Sequence, residues 1–432
     1  MSNVERSLAK SQEYLAAAQR YVPGCSQTFS KAPSQYVQGV SPAFIRRAQG
    51  CRVWDVDGNE YIDHVMSLDA IVIGYNDPDV VRAVRAQLED GTIFSLPHPL
   101  EIEVARALTE VVPCAQMARF GKNGSDATSG AIRASRAITG REKVVCCGYH
   151  GWQDWYIGTT TRDRGVPRAV RDLTLTFPYN DAAALERLFE QNPGQIACVI
   201  LEPIGVVEPV DNFLGRVREI TRRHGALLVF DEMITGFRFA EGGAQEYFGV
   251  TPDFGCFGKA MANGYPVSAI VGPRDLMAIF DEVFFSFTFG GEALSLAAAL
   301  ATIQKIRREP VIDHVWRQGK TLQSEFNAMA QEFGLGSLVQ CVGLPPRTVV
   351  TFKDASGADS LALRSLFQQE MVRRGMLFLV GFNPTFAHGD AEIDQTLGAC
   401  RDVLREVKSA VESDSVTQRL GGQMVQAVFR RA

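Results

Sequence analysis

Leu227-Leu228-Val229-Phe230-Asp231-Glu232 is a short apolar run that ends in two acids, and further on Phe257-Gly258-Lys259-Ala260 is a shorter one that ends in a lone lysine. Apolar runs of this length, bounded by polar or small residues, read as strands buried on both faces. The same pattern recurs at Val144–Cys147, Ile196–Leu201, Ala226–Phe230, Cys256–Phe257 and Ser268–Val271. Stretches with helical spacing lie between or after them, at 126–139, 181–191, 212–224 and 292–307. Short buried strands alternating with helices predict an α/β fold with a mostly parallel sheet covered on both faces. Ligands of such sheets sit at the carboxyl ends of the strands, which is where Asp231 and Lys259 fall.

Outside this region the pattern loosens. Residues 43–63 read as a hairpin, with Ala43-Phe44-Ile45 and Val53-Trp54 as strands and Asp57-Gly58 as the tight turn before Tyr61-Ile62. After about residue 310 come a helix at 312–333, strands near 337–342 and 348–352, a helix at 359–374, a strand near 376–380 and a helix near 390–413. The expected division is an N-terminal helix and hairpin (1–60) that join a small domain, a large domain over 61–310, and a small α+β domain over 311–432.

Bulk properties exclude several classes. The chain has 432 residues, 46% of them hydrophobic and 22% charged, as in an ordinary globular protein. A net charge of −5 argues against electrostatic nucleic-acid binding. Arg216, Arg218, Arg222 and Arg223 cluster, but on a helix whose solvated face accounts for them. Val4, Leu8, Leu15, Ala18 and Val22 give the first residues an amphipathic helix rather than a signal peptide, and no apolar run reaches the ~18 residues of a membrane span. Nine scattered cysteines without a CxxC predict free thiols in a reducing cytoplasm. Six dispersed histidines make a zinc site unexpected, so the metal expectation is none.

The candidate site has several parts. Lys259 lies among Gly255, Gly258, Ala260 and Gly264, small neighbours that let a bulky group approach the backbone. A lone lysine is ordinarily a surface charge; partly buried, it can serve as nucleophile and proton carrier. Asp231 ends an apolar run, where a carboxylate is costly unless paired, and Glu232 competes for its role. Together the lysine and the acid suit pyridoxal phosphate chemistry: the lysine forms an imine with the cofactor aldehyde, and the acid keeps the pyridine nitrogen protonated. Met233 can pack on one face of a ring or simply fill core. Gly124-Ser125-Asp126-Ala127 opens a helix after Lys122-Asn123, a phosphate cradle or an ordinary cap. Tyr149-His150-Gly151 follows one strand and offers an aromatic for stacking, Glu202-Pro203 ends another, and Ser286–Glu292 is a small-residue turn before a helix.

In order along the chain these pieces resemble a known family. Gly124-Ser125-Asp126-Ala127, Tyr149-His150-Gly151, Glu202-Pro203, Phe230-Asp231-Glu232-Met233-Ile234-Thr235-Gly236-Phe237-Arg238, Gly258-Lys259 and Thr288-Phe289-Gly290-Gly291 are similar to the class III pyridoxal-phosphate aminotransferases. The branch resembled is that of glutamate-1-semialdehyde 2,1-aminomutase, over roughly residues 20–400. The resemblance implies fold type I with a large and a smaller domain, pyridoxal 5'-phosphate as cofactor, and a homodimer with shared active sites. It implies Lys259 as Schiff-base lysine, Asp231 on the pyridine nitrogen, and Gly124 and Ser125 on the phosphate. Tyr149 and Met233 would face the two sides of the ring, and Glu202 would lie nearby. Thr288 would reach the phosphate of the partner subunit's cofactor.

Departures bear on substrate. The arginine that the aminomutase pattern carries after Pro23-Gly24 is matched by Lys31, which lacks the bidentate fork, and a serine before it by Thr28. The family tryptophan, in the strand after Tyr61-Ile62-Asp63, is matched by Leu68, and the usual Ser-Gly-Asn-Pro by Gly290-Gly291-Glu292-Ala293. Thr28, Lys31, Leu68 and Glu292 are therefore the substrate-side candidates. The expected reaction is amino transfer from an amino-acid donor to a ketone or aldehyde, keto-sugars and other polar carbonyls among the acceptors. The alternatives are intramolecular amine transfer, as in the aminomutase, and a non-catalytic binding protein on the same fold. A nucleotide-binding enzyme is disfavoured because neither GxGxxG nor GxxxxGK[ST] follows a strand.

Overall fold

The computed structural model describes residues 6–428. They divide into two compact units, one of residues 6–77 with 313–428 and one of residues 78–312.

The terminal unit opens with the helix Ala9–Tyr21, followed by strands β1 (Ile45–Gln49), β2 (Arg52–Asp55) and β3 (Glu60–Asp63). The predicted helix is thus shorter than its pattern, and Val4 lies outside the described residues. The single hairpin expected over 43–63 is a three-stranded meander. Its second turn is set by Asp55, whose Oδ1 accepts from the amides of Asp57 and Asn59 at 3.0 and 2.8 Å, with Gly58 at φ +93°.

The central unit contributes β4 (Met117–Gly121), β5 (Lys143–Cys147), β6 (Thr174–Thr176), β7 (Ile196–Leu201), β8 (Leu227–Asp231), β9 (Phe254–Phe257) and β10 (Ser268–Gly272), in the sheet order β4-β10-β9-β8-β7-β5-β6. Pairing from β9 through β6 is parallel, and β10 runs antiparallel to β9 and β4. All six residues of β7 are buried, as a strand covered on both faces requires. On one face the helix Gly124–Thr139 packs Ala127, Ala131 and Ile132 against Ile200, Cys256 and Ile270. It ends at Gly140 in the left-handed conformation. On the other face Phe213 and Val217 pack on Val199 and Leu228. Because β5, β7, β8 and β9 are parallel, their carboxyl ends share one edge. Of the arginine cluster, Arg218 forms an ion pair with Asp253 at 2.6 Å.

The chain returns to the terminal unit with β11 (Val339–Leu344), β12 (Arg347–Phe352) and β13 (Met376–Leu377). The last is shorter than the predicted strand at 376–380 and pairs in parallel with β3. Phe326, Phe352, Phe367, Phe378 and Phe382 centre the core of this unit, meeting mostly edge to face. Residues 61–77, expected in the large domain, belong here: β3 joins β2 and β13, and Gly50 and Tyr75 exchange backbone hydrogen bonds of 2.9 and 2.7 Å. Cys25 is half-exposed and the other eight cysteines are buried, all as free thiols. Among the described residues no helix is long and apolar enough to cross a membrane.

Candidate active site

β8 delivers Asp231 to the sheet edge at 4% exposure. A buried carboxylate needs donors. Its Oδ2 lies 2.8 Å from His150 Nδ1, and its Oδ1 accepts from the Met233 amide at 3.2 Å. The other ring nitrogen, His150 Nε2, faces the Cys147 carbonyl at 3.1 Å, an acceptor that obliges Nε2 to donate. His150 thus reaches from the end of β5 across the end of β7 to fix Asp231. Nothing in the one-dimensional pattern gave it that task, although it sits in the Tyr149-His150-Gly151 turn already singled out.

Glu232 points elsewhere. It is fully buried and accepts from Thr235 Oγ1 and from the amides of Ala244 and Gln245 at 2.8 and 2.9 Å. Burial pushes its carboxyl up, against the pull of those hydrogen bonds. The competition between the two acids is resolved by alternation: one faces the site, the other fastens the turn before Ala244–Phe248.

Met233 brings three pieces together. A Cβ on Gly124 would fall 2.9 Å from its sulfur, and a Cβ on Gly258 2.8 Å from it. The Asp231–Met233 turn, the start of the helix Gly124–Thr139 and the residue before Lys259 therefore converge on one thioether. Ser125 is buried, and its Oγ accepts from the Trp152 amide at 3.3 Å. Gly151 at φ +104° has no room for a side chain, since its Cβ would lie 2.1 Å from Ser125 Oγ. Lys259 is partly buried and sits at φ +45°, a conformation that costs a non-glycine residue roughly 1–2 kcal/mol.

Tyr149 is half-exposed, edge-on to Tyr156 at 5.5 Å, and its amide donates to Glu202 Oε2 at 3.0 Å. Burial, then Asp231 and Glu202, raise its phenol further, so it stays protonated. Thr288 is exposed on the stretch between Phe284, whose carbonyl accepts from Arg133, and the helix Ala293–Arg308.

Glu292, expected on the substrate side, is held by its own helix and by Lys122. Its Oε1 accepts from the Leu294 amide at 2.7 Å, and its Oε2 from Ser295 N and Oγ at 3.2 and 2.6 Å and from Lys122 Nζ at 3.0 Å. It caps the helix Ala293–Arg308, and its side chain is taken up by that task. Burial works to raise its carboxyl, but Ser295 and Lys122 hold it below the usual range.

The remaining candidates belong to the terminal unit. Thr28 is exposed, and Lys31 Nζ donates to Ser67 Oγ at 3.2 Å. Lys31, Tyr36, Phe44, Asp63, Ser67 and Tyr75 line a cleft of about 450 Å³ within that unit. Leu68 is not in a strand. Met66, Ser67, Leu68 and Asp69 all have positive φ, from 45° to 67°, a left-handed turn made without glycine.

The donor set fits a phosphorylated aldehyde cofactor: an amine at Lys259, a buried acid at Asp231, and first-turn amides at Gly124 and Ser125 ahead of their helix's own hydrogen-bond ladder. A class III aminotransferase profile matches residues 35–403. The chain belongs to that family, and its fold is that of the pyridoxal-phosphate-dependent transferases. It is 35% identical to the glutamate-1-semialdehyde 2,1-aminomutase of Persephonella marina, over 94% of this chain and 99% of the relative. It is 36% identical to the 3-aminobutyryl-CoA aminotransferase of Cloacimonas acidaminovorans, over 93% and 98%. Among solved structures, the FumI protein of Sphingopyxis sp. MTA144, determined in a pyridoxal-phosphate form, superposes with a TM-score of 0.86 at 28% identity, over 93% of this chain and 97% of that one.

Proposed function

We propose that this protein is a pyridoxal-phosphate-dependent aminotransferase that passes the amino group of an amino acid to a ketone or aldehyde acceptor. The observation that carries the reading is the convergence of Asp231, Gly124 and Gly258 on Met233, with Lys259 next in the chain and held in a strained conformation.

Lys259 Nζ would hold the cofactor aldehyde and, once displaced by the donor amine, carry a proton away from the donor Cα. Asp231, oriented by His150, would keep the proton on the pyridine nitrogen. The amides of Gly124 and Ser125 and the Ser125 hydroxyl would bind the phosphate, and Thr288 would add a contact to the partner's phosphate. Tyr149 and Met233 would bracket the ring, and Glu202 would hold the Tyr149 backbone. When bound, pyridoxal phosphate supplies an electron sink for the bond broken at the donor Cα.

The named reactions divide the relatives. One is named for an intramolecular amine shift and another for transamination of an acyl-CoA compound. Lys31 in place of the branch's arginine supports a transaminase outcome; the first relative's name keeps the aminomutase as the second reading. A homodimer is supported by exposed Phe284, Phe289 and Leu96, which lie on stretches joined by the Ala293 N to Thr92 O bond of 2.8 Å. Buried free thiols support a cytoplasmic location.

The test is an absorption spectrum of the protein reconstituted with pyridoxal phosphate. A visible band of lysine-held cofactor that bleaches with glutamate or alanine bears the proposal out, and acceptors can then be screened. No such band sinks it. A band that bleaches only with glutamate-1-semialdehyde turns the assignment to the aminomutase.

A further inference from the structure

The turn proposed to hold the phosphate has acids around it. Asp126 Oδ2 accepts from the amides of Lys122 and Asn123 at 3.0 and 2.7 Å, closing the turn that starts the helix Gly124–Thr139. Glu292 caps the helix Ala293–Arg308 and lies one lysine side chain from that turn. Glu101 lies beside the residue before Glu292: a Cβ on Gly291 would fall 2.5 Å from its Oε1. An anion with two negative charges held at this turn would be repelled by these carboxylates.

Lys122 is joined to this group by an ion pair. Its Nζ is 3.0 Å from Glu292 Oε2, and the two side chains are only 18% and 17% exposed. A pair this enclosed is fixed in place, unlike a surface pair. It also ties the starts of two helices together, since Lys122 immediately precedes the cap of one and Glu292 is the cap of the other.

We propose that Lys122 is a positioning residue for the cofactor phosphate: it neutralises Glu292, so that the carboxylate capping the second helix does not repel a phosphate dianion at the Asn123–Ser125 turn. The inference rests on the reading of Gly124 and Ser125 as phosphate contacts. It assigns Glu292 to the cofactor side of the site and removes it from acceptor recognition.

The test compares pyridoxal 5'-phosphate with unphosphorylated pyridoxal, titrated into apoprotein and followed by absorbance, with far-ultraviolet circular dichroism to show that each variant is folded. Lys122→Met should weaken the phosphorylated form by about tenfold, the size expected of one uncompensated nearby charge, and leave pyridoxal unchanged. Adding Glu292→Gln to Lys122→Met should restore most of that loss, and Lys122→Arg should show little loss. A loss that is equal for both ligands, or that persists in the double variant, overturns the proposal and leaves Lys122 as a packing residue. Wild-type protein that binds the phosphorylated form no better than pyridoxal overturns the phosphate assignment beneath it, which is read before any variant is made.

Discussion

Strands β2, β3 and β8 each end in a buried aspartate, and the last residues of β3 and β8 are held in different company. Asp231, at the end of β8, and Asp63, at the end of β3, each accept a hydrogen bond from the amide two residues on, Met233 at 3.2 Å and Val65 at 2.7 Å. There the likeness ends. Asp63 takes a second amide, Met66 at 3.2 Å, and the phenol of Tyr75 at 2.7 Å. Burial raises its carboxyl against those donors, and raises the Tyr75 phenol too. Asp231 has an imidazole in place of the phenol. An acid satisfied by amides and a phenol is committed to shaping its loop. An acid beside one imidazole and one amide keeps acceptor capacity for a cationic partner.

The comparison predicts that function fails at the ends of β8 and β9 and stability fails at the end of β3. The largest effect belongs to Lys259→Ala, which should abolish turnover while the thermal midpoint moves little. Retained turnover would break the assignment. Next, Asp231→Asn should lower kcat by about a thousandfold or more, roughly 4 kcal/mol at the transition state, with cofactor still partly bound. Asp63→Asn should do the reverse, costing about 1–3 kcal/mol of folding stability and little turnover per folded molecule. Denaturant titration and steady-state kinetics on the pair would refute the contrast if the two variants exchanged phenotypes. His150→Phe sharpens it: loss of one hydrogen bond to a charged group should cost kcat about tenfold to a hundredfold, with a smaller effect on KM.

A smaller effect separates the units by pH. His64, fully buried in the terminal unit and stacked on His388 at 5.2 Å, is kept neutral by burial well below 6.5. The unfolded chain takes up that proton near its ordinary pKa and the folded chain does not, so stability should fall as pH drops below about 6.5, by roughly 1–2 kcal/mol at pH 5. His64→Gln should flatten that slope in unfolding experiments. The smallest change is Leu68→Gly, where relief of one left-handed residue, about 1 kcal/mol, is offset by the lost packing of Leu68 on the core of its unit, so the denaturation midpoint should move little.

The central sheet was legible because burial on both faces leaves an unbroken apolar run, as in β7 and β8, whose bounds fall within a residue of the expected ones. β4 was not, since Met117-Ala118-Arg119-Phe120-Gly121 is a half-exposed edge strand with an arginine at its middle, and β6 is too short to show a period. Asp231 stood out by ending an apolar run. His150 did not, because the contact exists only once β7 lies between β5 and β8. The turn at Met66–Asp69 holds neither glycine nor proline, the residues that announce such a conformation. Glu292 was visible as a departure, but its task as a cap depends on where Lys122 arrives.

The cysteines carry a consequence for following this protein in time. Burial holds the thiols of Cys114, Cys146 and Cys198 in the central unit, and of Cys51 and Cys341 in the terminal unit, up at about 12. A thiol-selective reagent added to the native protein meets Cys25 at once and the other eight only as their surroundings open. Each modified cysteine then dates the opening of its own surroundings, so the chain carries a stopwatch for both units with no label engineered into it.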